Sequence, residues 1–433
     1  MDVSPWMPEA GPAGPSLRMG ASTGAVVIGA GYTGLSTAIA LRDLGFDVTV
    51  LERDYVGYGA SGRNAGHLTP TIGKDLPSLT RFFGSDTARS LIDLVGIAIE
   101  HVEQTIEEWE LDCDYEPTGN VMAAVHPRQH DTIDTAADAA RALGLDATLL
   151  DERGMRARGL PATFTRGLLL PRGGILDPGK YVRELARVAL DAGVRIYEQT
   201  PVVAIDDDDP VVVRIHGGRV RADIVVIATN AFTPQIRRLR HSVMPVQVSL
   251  FRTAPLDESQ RAAVGWAGRE GIYTAHEILE SYRLTADDRI VGGSKRIRYG
   301  FRGRLPADDP ATFDFITETF RARFPMLAGI EITDQWSGPI AFALDFLPMI
   351  GQLGRNGNIY YGVGYAGHGV ALASYAGPMI ADLVNGDDGP GAALWERWTP
   401  PLPPEPLRWL AVRGISGVLE WLDRRVDQEI GAD

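Results

Sequence analysis

Three glycines and one acidic residue near the start of the chain have the spacing of a nucleotide-binding site. Gly29, Gly31 and Gly34 form a G-x-G-x-x-G motif, and Glu52 follows the last glycine within the same segment. Such glycines allow a tight turn, the close approach of a pyrophosphate to the backbone, and close packing of the helix that follows. An acidic side chain about 20 residues further on can accept hydrogen bonds from ribose hydroxyls. The four residues therefore predict that a dinucleotide binds here.

The residues around these glycines predict the strand-helix-strand unit that such a site needs. Residues 25–29 and 48–51 are apolar and rich in β-branched side chains, as is typical of strands buried on both faces. Between them, Leu35, Ile39 and Leu44 recur on one face of a helix. The N–H groups at the start of that helix suit the phosphates of a cofactor. This context favours a binding motif over a chance arrangement of glycines.

A glycine-rich loop, GYGASGRNAGH at residues 57–67, follows the second strand directly. An NAD enzyme usually continues with further βα units at this point, so the loop favours FAD. It resembles the G-A-S-G-R-N-G-G-Q sequence of the D-amino-acid-oxidase-like (DAO) family of FAD-dependent oxidoreductases. Within that family it is closest to the branch that contains gamma-glutamylputrescine oxidase. Ala65 and His67 depart from the family pattern, which has glycine and glutamine there.

Three later blocks resemble the same family. Residues 173–205 match its second crossover, and residues 222–234 match a buried strand that ends in a small-residue turn. Residues 336–386 match its C-terminal signature, with a D-x-x-P-x-I-G segment and a long helix from Gly369. In the family this helix points its N-terminus at the flavin edge where negative charge develops. The resemblance extends over residues 24–390.

The resemblance implies FAD, bound without a covalent link. It places His67 near the flavin ring and the backbone of Val202 near the adenine. The residues it implies for cofactor binding are Gly29, Gly31, Tyr32, Thr33, Gly34, Glu52, Arg53, Gly59, Ala60, Ser61, Arg63, Asn64, Ala65, Gly66, His67, Val202, Thr229, Asn230, Gly367, His368, Gly369, Val370 and Ala371.

The fold class implied is α/β. A glutathione-reductase-type Rossmann domain for FAD is interleaved with an α+β substrate domain whose sheet is mostly antiparallel. We predict a disordered extension (1–22), a discontinuous FAD-binding domain (23–75, 165–236 and 337–398), a substrate domain (76–164 and 237–336) and a C-terminal amphipathic helix (399–433).

The implied reaction is the oxidation of an amine C–N bond. In the family, hydride passes to flavin N5, the imine is hydrolysed, and oxygen reoxidises the flavin to give hydrogen peroxide. The substrate expected is a primary or secondary amine such as a polyamine conjugate. Two alternatives remain open: a dehydrogenase that passes electrons to a carrier or quinone, and a flavin-containing subunit without turnover.

One departure from the family concerns how the substrate is anchored. Members that act on small amino acids have G-L-R-P just before the D-x-x-P-x-I-G segment, and its arginine binds the substrate carboxylate. Residues 338–341 are Gly, Pro, Ile and Ala here, so Ile340 stands in place of arginine. This difference argues against a plain α-amino acid as substrate.

The candidates for contact with the substrate or the reacting flavin are His67, Tyr273, Arg283, Trp336 and His368. Each has a competing structural explanation. A lone histidine is more often a hydrogen-bonded structural residue, and the two aromatic residues and Arg283 could serve packing. No metal site is predicted.

Composition limits the partners. The chain has 42 basic and 56 acidic residues and a formal charge of −14, which argues against a nucleic-acid partner. It has one cysteine, Cys113, and therefore no intrachain disulfide, which agrees with a cytoplasmic location. No stretch approaches the ~20 apolar residues of a membrane span. We expect the tail helix to pack on its own chain or on a second copy in a homo-oligomer, with membrane-surface attachment as the alternative.

Overall fold

Two eight-stranded sheets organise the part of the chain that the computed structural model describes, which is residues 4–7, 14–17, 20–391, 394 and 397–430. In chain order the strands are β1 (Ala21–Ile28), β2 (Val48–Leu51), β3 (His67–Leu68), β4 (Asn120–Ala124), β5 (Thr148–Leu150), β6 (Arg166–Leu170), β7 (Gly174–Ile175), β8 (Arg195–Tyr197), β9 (Val202–Asp206), β10 (Val211–Ile215), β11 (Gly218–Ile227), β12 (Met244–Thr253), β13 (Gly271–Thr274), β14 (Glu280–Leu284), β15 (Ile290–Ser294), β16 (Ile332–Phe342), β17 (Met349–Leu353) and β18 (Ile359–Val363).

The helices surround these sheets. They are α1 (Tyr32–Asp43), α2 (Leu76–Phe83), α3 (Ser85–Glu108), α4 (His130–Leu143), α5 (Glu152–Ala157), α6 (Pro178–Asp191), α7 (Glu258–Val264), α8 (Pro310–Arg323), α9 (Gly369–Asn385) and α10 (Leu407–Ile430).

The first sheet has the strand order β17-β18-β11-β1-β2-β8, with the β9–β10 hairpin paired to the first half of β11. From β18 to β8, neighbouring strands are parallel. Side chains of β1 alternate between two cores: Ala25 and Val27 pack with α1, α6 and α9, whereas Val26 and Ile28 pack with β10 and β11. Burial on both faces explains the continuous apolar run.

Helices α1 and α9 cross at very short range on one face of this sheet. A Cβ atom at Gly377 would lie 2.3 Å from the carbonyl carbon of Ser36, so only glycine fits the crossing. This contact joins the N-terminal glycine motif to the C-terminal block that is far away in sequence.

The second sheet has the order β16-β12-β15-β14-β13-β4-β6-β5, and its neighbours are antiparallel except β13 and β4. Helix α8 packs on one face, where the rings of Phe251 and Phe320 are 5.0 Å apart. On the other face, Leu250 and Val291 pack with Trp336. The interleaved α/β and α+β architecture that we predicted is therefore confirmed.

Two of the predicted domain limits disagree with the strands of this second sheet. Strand β6 belongs to it although residues 165–236 were assigned to the cofactor domain, and the last six residues of β16 were also assigned there. Membership of a sheet depends on strand pairing with distant residues, which the local sequence does not indicate.

The prediction of a disordered extension at residues 1–22 is wrong for the part of it that the structure describes. Ser4 and Trp6 are buried. The backbone N–H of Leu17 donates to Thr200 Oγ1 at 3.1 Å, and that of Gly14 donates to the Glu198 carboxylate. β1 itself begins at Ala21, inside the predicted extension.

Helix α10 is present as predicted, but it is oriented with its apolar side outward. Asp423 accepts hydrogen bonds from the N–H groups of Glu277 (2.9 Å) and Ile278 (3.0 Å), which lie between β13 and β14 of the second sheet. On the opposite side Ile415 and Val418 are exposed. The hydrogen bonds of Asp423 therefore determine which side of α10 packs on the rest of the protein. None of the helices in the described ranges is long and apolar enough to cross a membrane.

Candidate active site

A cleft of about 440 Å³ lies at the carboxyl ends of β1, β2 and β11, where ligands bind in open α/β sheets. Helices α1 and α9 both begin on it, with Gly31 and Gly369 in its wall. Helix N-termini carry partial positive charge and free N–H groups. Two of them directed at one cleft suit a ligand with negative charge at two places.

The glycine motif has the geometry that close approach requires. A Cβ atom at Gly34 would lie 1.8 Å from the carbonyl oxygen of Gly29, and one at Gly31 would lie 2.8 Å from Ser61 Oγ. Gly29 has a φ of +107°, which side-chain-bearing residues rarely adopt. The motif is thus a backbone surface, free of side chains, that faces the loop carrying Ser61.

Glu52 lies at the end of β2, as the motif predicts. Its carboxylate accepts hydrogen bonds from the N–H groups of Ala30 (2.8 Å) and Asp54 (3.0 Å). Burial raises the pKa of Glu52, and these two hydrogen bonds oppose the rise. The carboxylate is thereby fixed in the wall of the cleft with acceptor capacity left for hydroxyl groups.

An aromatic and basic lining at one end of the cleft surrounds Arg53, which was predicted to bind the cofactor, with residues that were not predicted. The guanidinium of Arg53 lies 4.2 Å from the ring centre of Phe232 and 5.3 Å from that of Tyr58. Arg237 and Arg238 line the same cleft. Arg237 and Arg238 follow closely after the strand and turn predicted at residues 222–234, and this basic pair was the sequence signal for the lining. Planar rings and guanidinium groups suit a nucleotide base and its phosphates.

At the other end the lining is apolar. Ile340, Ala341 and Val370 contribute to it, and Tyr365 joins them. The hydroxyl of Tyr365, which the sequence analysis also missed, lies 2.7 Å from Thr33 Oγ1 and so links the starts of α9 and α1.

His67, on β3, is half-buried beside the second sheet. Its Nδ1 lies 3.0 Å from Asn120 Oδ1. Because the Asn120 amide nitrogen donates to Leu68 O at 2.8 Å, the amide oxygen accepts and Nδ1 carries the proton. Nε2 then has a lone pair that has no hydrogen-bond partner among the described residues. Burial lowers the pKa of His67 to about 4, so the ring is neutral at physiological pH.

His67→Gln is expected to reduce the sensitivity of the fold to acid. Burial lowers the pKa of His67 in the folded protein to about 4, whereas the free group has a pKa of 6.5. The unfolded chain therefore binds a proton that the native state excludes. Native stability is full above the unfolded pKa and falls by about 2 kcal/mol by about pH 5. Urea unfolding of wild type and variant, once above the unfolded pKa and once at about pH 5, measures this loss. Curves that fall in parallel would contradict the prediction.

The other four catalytic candidates lie in two places. Arg283 and Trp336 donate to the backbone of loop residues 63–65, and Tyr273 shares β13 with Gly271, whose added Cβ would meet His67. His368 stands apart, before α9, where its Nδ1 donates to Ala366 O at 3.1 Å. The structure therefore brings Arg283 and Trp336 to the loop that precedes His67, with Tyr273 on the strand beside His67.

Burial changes the pKa of three of these candidates. It raises the pKa of Tyr273, lowers that of His368, and lowers that of Arg283 to about 10. Tyr273 and Arg283 therefore keep their protons at neutral pH, and His368 is neutral there.

Most of the residues predicted to hold the cofactor line the cleft. These are Gly29, Gly31, Tyr32, Thr33, Glu52, Arg53, Gly59, Ala60, Ser61, Asn64, Val202, Thr229, Asn230, Gly367, Gly369 and Val370. The remainder are not part of its lining, and they are Gly34, Arg63, Ala65, Gly66, His67, His368 and Ala371. Their roles toward the cofactor stay predictions.

Lys295 begins a run of basic residues at 295–304, a pattern typical of a solvated loop, but it is buried in a cluster of charges. Its Nζ lies 2.8 Å from Glu280 Oε1 and 3.1 Å from Asp427 Oδ2. Arg323 also pairs with both acids, and His276 lies beside them. Although three of these residues could ligate a metal, the protein's own two cations already compensate the carboxylates.

These features fit a flavin dinucleotide. The side-chain-free backbone at Gly31 and Gly34, the fixed Glu52 carboxylate and the two helix N-termini suit a pyrophosphate and a ribose. The aromatic and basic end suits an adenine, and the apolar end suits a planar ring system. Fold and site together define a two-domain flavoprotein.

Comparison with known proteins identifies the family. The model of the DAO family, described as FAD dependent oxidoreductase, matches residues 25–383. Gamma-glutamylputrescine oxidoreductase of Escherichia coli (strain K12) is 33% identical over 369 residues, which cover 83% of each chain. The chain belongs to the DAO family of FAD-dependent oxidoreductases, and its cofactor is FAD.

Solved structures share the fold. Glycine oxidase from Geobacillus kaustophilus superposes with a TM-score of 0.73 at 19% identity and covers 85% of this chain and 96% of its own. L-proline dehydrogenase from P. horikoshii gives a TM-score of 0.71 at 20% identity, with 86% and 95% covered. At these identities the likeness establishes the architecture alone.

Proposed function

We propose that this protein is an amine oxidase. Its substrate is a primary or secondary amine without an α-carboxylate, such as a polyamine conjugate, and oxygen reoxidises the flavin. The observation that carries the proposal is the side chain at position 340. Ile340 lines the apolar end of the cleft at the place where carboxylate-binding relatives have arginine. The similarity to a gamma-glutamylputrescine oxidoreductase supports the same substrate class.

When bound, FAD supplies the acceptor for the two electrons released from the amine C–N bond. The residues around it choose the form of the amine that reacts. Ile340, Ala341 and Val370 provide an apolar surface. Such a surface disfavours an ammonium ion and favours the neutral amine, whose lone pair is needed for the oxidation.

In this proposal the substrate nitrogen reaches the second sheet, where His67 orients it. Its neutral ring keeps the Nε2 lone pair available, because Asn120 fixes the proton on Nδ1. A neutral acceptor binds an amine N–H without adding a charge. We therefore assign His67 a positioning role toward the substrate nitrogen, and Tyr273 and Arg283 the role of closing the same side.

The test is anaerobic mixing of the purified holoprotein with pools of compounds while the flavin absorption band is recorded. One pool contains polyamines, their gamma-glutamyl conjugates and simple secondary amines, and the other contains α-amino acids. Bleaching by the amine pool alone supports the proposal. Bleaching by the amino acids alone overturns it, because another group would then have to bind the carboxylate.

Admission of oxygen to the bleached protein separates the two ways of completing the cycle. Rapid return of the band with formation of hydrogen peroxide supports an oxidase. A band that returns only with a quinone or an electron carrier identifies a dehydrogenase. We further propose a cytoplasmic location, which the single cysteine, Cys113, supports.

Ile340→Arg is expected to shift the preference of the site toward α-amino acids. A guanidinium repels a cationic amine and can bind a carboxylate with two hydrogen bonds. We expect flavin reduction by the amine to fall at least about tenfold, which corresponds to about 1.4 kcal/mol. Stopped-flow reduction with one amine and one amino acid measures the change. Ile340→Met, of similar size and without charge, is the control and should behave as wild type.

A further inference from the structure

Three successive backbone carbonyls in the loop that follows β2 are each held by a different distant segment. Trp336 Nε1 donates to Arg63 O at 2.9 Å, and Trp6 Nε1 donates to Asn64 O at 3.0 Å. Arg283 Nε donates to Ala65 O. Two of these donors belong to the substrate domain, and the third belongs to the N-terminal segment Ser4–Met7, for which the sequence predicted no structure.

Trp6 is fixed on every side. Its side chain is 5% exposed, its ring meets that of Trp336 edge-on at 5.6 Å, and the Arg283 guanidinium lies 5.1 Å from its ring centre. Its carbonyl accepts from Arg183 Nη1 at 2.6 Å. The segment itself forms a turn, with the N–H of Met7 donating to Ser4 O at 3.0 Å. A terminal segment held in this way is part of the folded unit.

The loop that Trp6 holds from outside faces the FAD cleft on its inner side. Asn64 connects the two sides. Its carbonyl accepts from Trp6, while its side-chain nitrogen donates to Tyr32 OH (3.2 Å) at the start of α1 and to Ser61 O (2.9 Å). Asn64, Ser61 and Tyr32 all line the cleft. A change at Trp6 therefore reaches the cleft wall through Asn64.

We propose that Trp6 is a positioning residue for the cofactor: it holds the loop of residues 57–66 in the conformation that binds FAD. Met7 adds to this, because its side chain packs against Gly57 and Gly62 at the base of the same loop. Without the indole N–H, the part-buried carbonyl of Asn64 loses its donor, and the loop gains alternative conformations in which water satisfies it. The apparent dissociation constant of FAD rises as the fraction of binding-competent loop falls.

The test compares Trp6→Phe with wild type as holoproteins. Phenylalanine keeps the aromatic contact with Trp336 and removes only the donor. FAD fluoresces when it is released, so dilution series of each holoprotein give the dissociation constant without any substrate. We expect FAD to dissociate from Trp6→Phe with a constant about tenfold higher than from wild type. We also expect a changed shape of the flavin absorption band, which a general loss of stability would not cause.

Two further variants complete the experiment. Trp398→Phe is the matched control, since Trp398 is 79% exposed, and it should leave FAD release unchanged. Arg183→Met removes the donor to the Trp6 carbonyl while leaving the indole intact, so it loosens the segment if Trp6→Phe fails to fold. We expect about threefold weaker FAD binding from it. Equal FAD dissociation constants and identical flavin spectra in Trp6→Phe, Arg183→Met and Trp398→Phe would overturn the proposal. Because no substrate is used, the result does not depend on the identity of the amine.

Discussion

Replacing Gly34 with alanine is expected to give a protein that is purified without FAD or does not accumulate in soluble form. A Cβ atom there would lie 1.8 Å from Gly29 O and 2.9 Å from Gly29 C. Both are backbone atoms of a turn that cannot move without separating β1 from α1. The ratio of flavin to protein absorbance in the purified sample measures the effect, and we expect at least about a hundredfold less bound FAD, equivalent to about 2.7 kcal/mol.

Gly414→Ala is the matched control for this change. Gly414 also lies within a helix, α10, and a Cβ atom there would meet nothing within 4 Å. Alanine at an open helical position stabilises a helix by about 1 kcal/mol relative to glycine. The control should therefore keep its FAD. A Gly34→Ala protein that retains the wild-type amount of flavin would show that the turn tolerates a side chain.

Arg323→Met is expected to destabilise the substrate domain by about 3–5 kcal/mol. Arg323 is buried and pairs with Glu280 (2.8 Å) and with Asp427 of α10. Methionine fills the space but leaves Glu280 and Asp427 with Lys295 as their remaining Lys or Arg partner in the cluster. Thermal unfolding and limited proteolysis measure the effect, and we expect cleavage to begin in α10, because this helix loses one of the groups that anchor it.

Arg321→Met is the control, since Arg321 lies on the same helix and is exposed.

The stability that the charge cluster contributes depends on pH. Burial would raise the pKa of Glu280, but Arg323 and Lys295 lower it to about 2. The stability it contributes is therefore present above its ordinary pKa and is lost as the pH falls toward about 2. Equal loss of stability in the two methionine variants would contradict this account.

Local pattern in the sequence was sufficient for the cofactor half of the site. The strand at 48–51 and the helix after Gly31 were predicted correctly, because apolar periodicity and glycine spacing act over a few residues. Glu52 followed from the same spacing. The identification of the family came from a second source, the likeness of the loop at residues 57–67.

Long-range pairing accounts for what the sequence did not reveal. The tautomer of His67 depends on Asn120, which lies 53 residues away in the chain. Lys295 stands in a run of basic residues that favours a solvated loop, but it is buried with two acidic partners, Glu280 and Asp427, the second of which lies on α10. Trp6 lies in a segment rich in Pro, Gly and Ala. We predicted disorder from this composition although the segment contains an aromatic residue. No pattern among neighbouring residues predicts partners that are so far apart in the sequence.

The position of Asp427 has a consequence for biosynthesis. It is translated after every strand of both sheets, so the nascent substrate domain holds Lys295 and Arg323 with Glu280 as their only acidic partner in the cluster. A message that terminates before codon 427 would yield both sheets with one buried positive charge uncompensated. Such a chain is destabilised in the same way as a broken buried ion pair. Cellular proteases would then remove truncated copies before they could sequester FAD.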